Sequence, residues 1–428
     1  MSSDPVQESC ARPSAAPGLV EHFFRREYGR LVAVLTRRVG ARHIDVVEDA
    51  VQSALLAALT TWTIQGLPND PGAWLYRVAH NSLIGEFRRK AGRRRLLEQV
   101  LVEVVESGDQ PELPCFAGEV RDDLLRMLFV CCDDAIPRES QLVMALKTLC
   151  GFSTGEIALR LFTTEANVYK RLARARDRLR KGDAGLQTPP LDALKSRLPS
   201  VHTVLYLLFN EGYLSANAEL AIRRELCEEA IRLATLLAGH PVGAVPETFA
   251  LVALMHLHTA RLSARSDRAG GLLLLEEQDR SLWDRERIGL GAEWLKRSAS
   301  GEVFSRFHAE AGIAAEHCFA PSFAETRWAE IFDLYAMLER VAPSPLNIMN
   351  QAVAVAEWQG PDEGLRLLQD LAPPSWLSSS YLWDAVVSDL YRRAGKLEVA
   401  RRHRDRALAN APTNAVRDLL RRRLTIPV

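Results

Sequence analysis

The 428-residue sequence has no uninterrupted apolar run of about 18 residues, which argues against a transmembrane helix. Its first 18 residues, MSSDPVQESCARPSAAPG, have no basic segment followed by an apolar core. A short disordered leader is expected there rather than a signal peptide. Cysteine is sparse: Cys10, Cys115, Cys131, Cys132, Cys150, Cys227 and Cys318 are odd in number and show no C-x-x-C spacing. Reduced thiols in a cytoplasmic protein fit that pattern; a disulfide framework or structural zinc site does not. There is no nucleophile elbow, no Gly-rich phosphate loop, no H-E-x-x-H and no metal-spaced His/Cys cluster, so an enzyme is the weakest reading and no metal or cofactor is expected. Strand-like alternation is missing as well, and the expected fold class is all-α. Net charge is also absent, with 54 Lys and Arg against 54 Asp and Glu.

Locally the charge is far from even. EFRRKAGRRR (86–95) and YKRLARARDRLRK (169–181) are strongly basic. Between them, 97–120 is acidic, with Glu98, Glu103, Glu106, Asp109, Glu112 and Glu119, and carries the breakers Gly108, Pro111 and Pro114. The length suits roughly two to four domains. The expected organisation is a leader (1–18), a helical domain (19–95), an acidic linker (96–118), a second helical domain (119–181) and a C-terminal helical region (191–428), with GDAGLQTPPL (182–191) as the last boundary.

The second domain ends in STGEIALRLFTTEANVYKRLARARDRLRK (153–181), which has the form of a helix-turn-helix. Ser153 and Glu156 fit a capping box, Ile157, Leu159 and Leu161 supply apolar contacts, and a Thr in the turn is positioned to cap the next helix. In that helix Val168, Leu172, Ala175 and Leu179 form one stripe, while Asn167, Lys170, Arg171, Arg174 and Arg178 lie on the other face. One face packed and the other basic is what major-groove reading needs. A solvated basic helix explains the arginines but not the capped short helix before it.

In DPGAWLYRVAHNSLIGEFRRKAGRRR (70–95), Asp70 and Pro71 read as N-cap and first helical residue. Trp74, Tyr76, Arg77, His80, Asn81, Phe87, Arg88 and Arg89 mix aromatics of exposed type with cations, a combination suited to unstacked bases and a single-stranded backbone. Alternatively Trp74, Leu75 and Val78 are core and the arginines a plain phosphate clamp. His80 reads as a polar residue near DNA rather than a metal ligand. Asp122, Asp123, Asp133 and Asp134 read as surface charge.

The C-terminal region reads as stacked helix pairs. In 381–412, Tyr391, Gly395, Ala400, Ala407 and Pro412 stand where a tetratricopeptide repeat has Tyr, Gly, Ala, Ala and Pro. A helical bundle without true repeats is the alternative. LYLLFNEGY (205–213) reads as a core helix with a capping Asn-Glu-Gly. A polar loop, 264–288, gathers Asp267, Gly270, Gly271, Gln278, Asp279, Arg280, Trp283 and Asp284, either as a ligand or contact site or as caps and pins of the loop itself.

Taken together, VVEDAVQSALLAALTTW, PGAWLYRVAHNSLIGEFRRK and the 153–181 segment resemble the bacterial sigma-70 family, in its small extracytoplasmic-function (ECF) branch. The resemblance covers residues 19–181, and the tail beginning VHTVLYLLFNEGYLSAN resembles the ECF group with a C-terminal tetratricopeptide-like extension. It implies a sigma factor that binds core RNA polymerase through the β′ clamp and β flap and directs it to promoter DNA. Asp45, Glu48, Asp49 and Gln52 match the helix that docks on β′, with Ser53 where the family usually has an acid. Trp74, Arg77, His80, Asn81, Arg88 and Arg89 would read and melt the −10 element, beside a loop at 64–70 that holds a flipped base. Asn167, Lys170, Arg171, Arg174, Arg176 and Arg178 would read the −35 element, with Ala166 where Gly is common. The acidic linker would stand in for nucleic acid in the polymerase channel. The tail would modulate activity, with a regulatory ligand or protein at Asp267, Gln278, Asp279, Arg280, Trp283 and Asp284. The competing class is a stand-alone helix-turn-helix regulator with a helical-repeat sensor.

Overall fold

The computed structural model describes residues 17–91, 122–161, 163–181, 191–215, 222–267, 271–369 and 371–425. Most of the expected leader, the arginines at 93–95, the acidic linker, most of the 182–191 boundary and residues 268–270 of the polar loop lie outside these. Among the described residues, regular structure is helical apart from one antiparallel bridge between Ser266 and Leu272. No helix among them is long and apolar enough to cross a membrane.

The chain divides into two compact units. The first holds α1 (Pro17–Val39), α2 (Ile44–Gln65), α3 (Pro71–Ala91), α4 (Asp123–Cys131) and α5 (Arg138–Thr148). Helix α3 starts where the sequence indicates: the Asp70 carboxylate accepts the Ala73 amide at 2.9 Å, and Pro71 needs no such partner. Its residues Leu75, Ala79, Leu83 and Phe87, four apart, are buried, as are Val47, Val51, Ala54 and Ala58 of α2. Helix α4 is capped by Asp122, which accepts the Leu125 amide at 2.9 Å, and tied to α1 by Arg37 Nη1 on Asp123 at 3.0 Å. These two acids therefore build the fold rather than dress the surface.

The segment after the linker packs closely on the one before it. A Cβ on Gly29 of α1 would lie 2.2 Å from the Leu149 carbonyl oxygen, so only glycine permits that approach. Thr148 Oγ1 donates to Glu48 Oε1 at 2.7 Å, and Glu48 is 2% exposed. Cys131, Cys132 and Cys150 are buried free thiols of this unit, and burial pushes the Cys131 thiol well up.

Two further helices complete the helix-turn-helix: α6 (Thr154–Arg160) and α7 (Glu165–Lys181). The division between units falls inside α7: residues 154–169 belong to the second unit, and Lys170 onwards to the first.

The rest of the second unit is the tail. It runs α8 (Leu191–Tyr213), α9 (Arg224–Gly239), α10 (Pro246–Thr259), α11 (Arg285–Ser298), α12 (Arg306–Phe319), α13 (Trp328–Val341), α14 (Pro345–Gln359), α15 (Pro361–Gln369), the short α16 (Ser375–Ser378), α17 (Tyr381–Arg393), α18 (Leu397–Ala409) and α19 (Asn414–Arg423). Helices adjacent in sequence mostly pack on one another, and α10 also packs on α12. Helix α10 is apolar on every side and buried almost throughout, as such a sequence requires. In the α17–α18 pair, Gly395 takes φ +75° at the turn, and Ala400 and Ala407 are fully buried. Ser388 Oγ donates to the Ala400 carbonyl at 2.9 Å across that pair, a close approach that larger residues would block.

Candidate nucleic-acid interface

Helix α7 divides its surface as its sequence does. Val168, Leu172, Ala175 and Leu179 are all at most 5% exposed. The turn before it is closed by Thr164, whose Oγ1 accepts the Asn167 amide at 3.3 Å, while Asn167 Nδ2 donates to Thr163 Oγ1 at 3.3 Å. Lys170, Arg174 and Arg178 are exposed on the opposite face, open to an anionic surface, and Asn167 is exposed beside them. Arg171 and Arg176 are placed otherwise. Arg171 pairs with Glu139 of α5 at 2.5 Å, and Arg176 lies between Asp45, at 3.1 Å, and Glu48, to which it donates a hydrogen bond.

The acidic face of α2 is thus only partly open. Asp49 and Gln52 are exposed, Asp45 is half-buried, and Glu48 is buried among Arg176, Thr148 and Tyr28. The Tyr28 phenol is pushed up, first by burial and then by the Glu48 charge. Sequence reasoning missed Glu139 and Thr148, which gain meaning only from the tertiary approach of α5.

On α3, Arg77, Asn81, Arg88 and Arg89 form an exposed polar edge. Trp74 is half-buried, edge-on to Trp62 of α2 with ring centres 5.4 Å apart. Tyr76 stacks on His80 at 5.7 Å, and Arg38 caps the Tyr76 ring at 5.5 Å. His80 Nε2 is buried without a hydrogen-bond partner, and burial, helped by Arg38, lowers its pKa. Phe87 corrects an expectation: it is 3% exposed, edge-on to His43 at 5.2 Å, and belongs to the core rather than to a stacking platform. The i, i+4 series that starts at Leu75 requires this.

In the tail loop, Asp267, Asp279, Asp284 and Arg280 each have a local partner. Asp267 accepts the Gly271 amide at 2.8 Å, Asp279 the Ser281 amide at 2.9 Å, and Asp284 the Arg287 amide at 3.1 Å at the start of α11. Arg280 donates to the carbonyls of His317 (2.8 Å) and Ala320 (2.7 Å), and its guanidinium lies 4.5 Å from the centre of the buried Trp283 ring. Gln278 is 8% exposed, and its Oε1 has no hydrogen-bond partner. Beside Leu274 and Leu275 a cavity of about 450 Å³ opens, lined also by Trp328, Tyr335, Arg392 and Arg423. Among the described residues, no three His, Cys, Asp or Glu side chains come together as metal ligands.

Comparison with known proteins gives concordant findings. Residues 23–93 match sigma-70 region 2, and residues 126–179 match sigma-70 region 4. Residues 197–299 match a family of unknown function, DUF6596. A relative from Rhizobium meliloti (strain 1021), named only as an uncharacterized protein, is 35% identical over 406 residues, 95% of this chain and 91% of its own. No solved structure matches the chain. With a region 2 domain before a region 4 helix-turn-helix, each carrying a basic exposed face, and a helical tail behind them, the chain belongs to the sigma-70 family.

Proposed function

We propose that this chain is an ECF-type sigma factor with a tetratricopeptide-like tail, a promoter-specificity subunit for core RNA polymerase. The observation that carries the reading is the two-sided α7: a fully packed apolar stripe opposite exposed Asn167, Lys170, Arg174 and Arg178, in a chain that also has region 2. In this reading α7 enters the −35 major groove, and Arg77, Asn81, Arg88 and Arg89 of α3 engage the −10 strand with Trp74 and His80 behind them. Asp45, Glu48, Asp49 and Gln52 dock on the β′ clamp, and the region 4 domain on the β flap. Arg176 holds Asp45 and Glu48 in the free chain, so docking through those acids requires α7 to release them. The tail modulates activity, with a regulatory ligand or protein at the polar loop as the form of control this reading favours.

The deciding experiment reconstitutes purified chain with core polymerase on genomic fragments. Transcripts that start at discrete promoters only when both are present are expected. Tight, specific duplex binding by the chain alone, with no polymerase-dependent transcript, would instead make it a stand-alone helix-turn-helix regulator.

A further inference from the structure

Near the end of α8, in LYLLFNEGY, Glu211 is 0% exposed. A carboxylate taken fully out of water is tolerated only where cations and donors surround it. Arg160 of α6 donates to Glu211, Ser215 Oγ donates to it at 2.6 Å, and Arg223 Nη1 stands 3.7 Å away. Arg160 also donates to the Leu214 carbonyl at 3.0 Å. Arg223, itself 5% exposed, reaches back to Glu156 of α6 at 3.3 Å. Gly212 makes this geometry possible: a Cβ there would lie 2.6 Å from the Cys227 nitrogen and 2.8 Å from the Arg223 carbonyl. The Arg223 amide donates to the Gly212 carbonyl at 2.8 Å, which sets the Arg223 side chain beside Glu211.

Glu156 and Arg160 are four residues apart, on one face of α6. The tail presents Arg223 and Glu211 to that face, so charges alternate along a chain of four: Glu156, Arg223, Glu211, Arg160. Helix α6 has only seven residues, too few to be stable alone. It also holds the start of α7: Thr154 Oγ1 donates to Glu165 at 2.7 Å, and the Thr163 amide donates to the Ala158 carbonyl at 2.9 Å. Residues 154–169 accordingly fall in the same compact unit as the tail.

We infer that Glu211 is a positioning residue for −35 recognition: through Arg160 it fixes α6, and through α6 it fixes the first turn of α7. The tail is then a structural part of the DNA reader, and the Asn-Glu-Gly of α8 is the point where the two join. This rests on the sigma-factor reading for its DNA arm, but its mechanical arm does not.

The test uses the full chain with Glu211→Gln, Arg160→Ala and the double variant, and Glu357→Gln, which breaks a separate tail ion pair with Arg393, as control. Hydrogen exchange of the free chain is read first. Glu211→Gln and Arg160→Ala should each speed exchange of the α6 amides about tenfold or more, the double no further, and the control should leave them unchanged. Unaltered α6 exchange in folded Glu211→Gln overturns the inference, whatever the chain's function. With core polymerase, the ratio of initiation on templates with intact and scrambled −35 elements should fall towards one for Glu211→Gln, with polymerase association kept within about twofold. A retained ratio overturns the positioning role, whereas no polymerase-dependent transcript from the unaltered chain overturns the sigma reading instead. If Glu211→Gln does not fold, Arg160→Lys carries both readouts, since it keeps the charge but cannot bridge Glu211 and the Leu214 carbonyl together.

Discussion

His202, His256, His258 and His317, all in the tail, are held neutral by burial, with pKa values of about 4, 4, 3 and 3. Arg261, Arg265 and Arg280 reinforce this at His258 and His317. An unfolded histidine titrates near 6.5, so between that value and the folded pKa the unfolded chain binds more protons. Stability contributed by these residues is complete above about pH 6.5 and is lost as pH falls, by roughly 1–2 kcal/mol per histidine at pH 5. The melting temperature of the tail should therefore drop between pH 7.5 and 5, and His258→Phe, which keeps a buried ring without a titrating group, should flatten that dependence. An unchanged slope in His258→Phe would remove this residue from the account.

Within α7, six polar positions that look alike in sequence are placed in two different ways: four are exposed, and Arg171 and Arg176 are held by acids of other helices. Arg174→Ala should leave the denaturant midpoint within about 0.5 kcal/mol of the parent, because its side chain is exposed. It should lower −35-dependent initiation and reduce the salt slope of promoter binding by about one. Arg176→Ala should destabilise the first unit by about 1–3 kcal/mol, because Glu48 is left buried without its cation. Equal stability losses from the two variants would refute the division. The packed stripe of α7 and the start of α3 were legible, because periodicity and capping are local. The fate of Arg171 and Arg176 was not, because Glu139 and Glu48 lie far away along the chain. Phe87 was misjudged from its arginine neighbours although its spacing from Leu83 already marked the core. Glu211 looked like a cap because nothing in its own helix names Arg160 as its partner.

At the scale of the whole molecule, the compact units do not follow the sequence domains. The first gathers both sides of the acidic linker, and the second takes the front of the helix-turn-helix together with the tail. A truncation ending before Leu191 therefore strips Glu211 and Arg223 from α6, and should increase protease cutting within residues 154–169 relative to the full chain. Equal cutting would show that α6 stands without the tail. Each unit also carries its own sealed thiols: Cys131, Cys132 and Cys150 in the first, Cys227 and Cys318 in the second. Burial raises the Cys227 thiol to about 12 and the Cys318 thiol to about 11, so neither reacts until its surroundings open. With Cys10 and Cys115 replaced by serine, disulfide-exchange labelling becomes a clock with two hands. Acidification should advance the hand at 227 and 318 ahead of the one at 131, 132 and 150, timing the opening of each half within one chain.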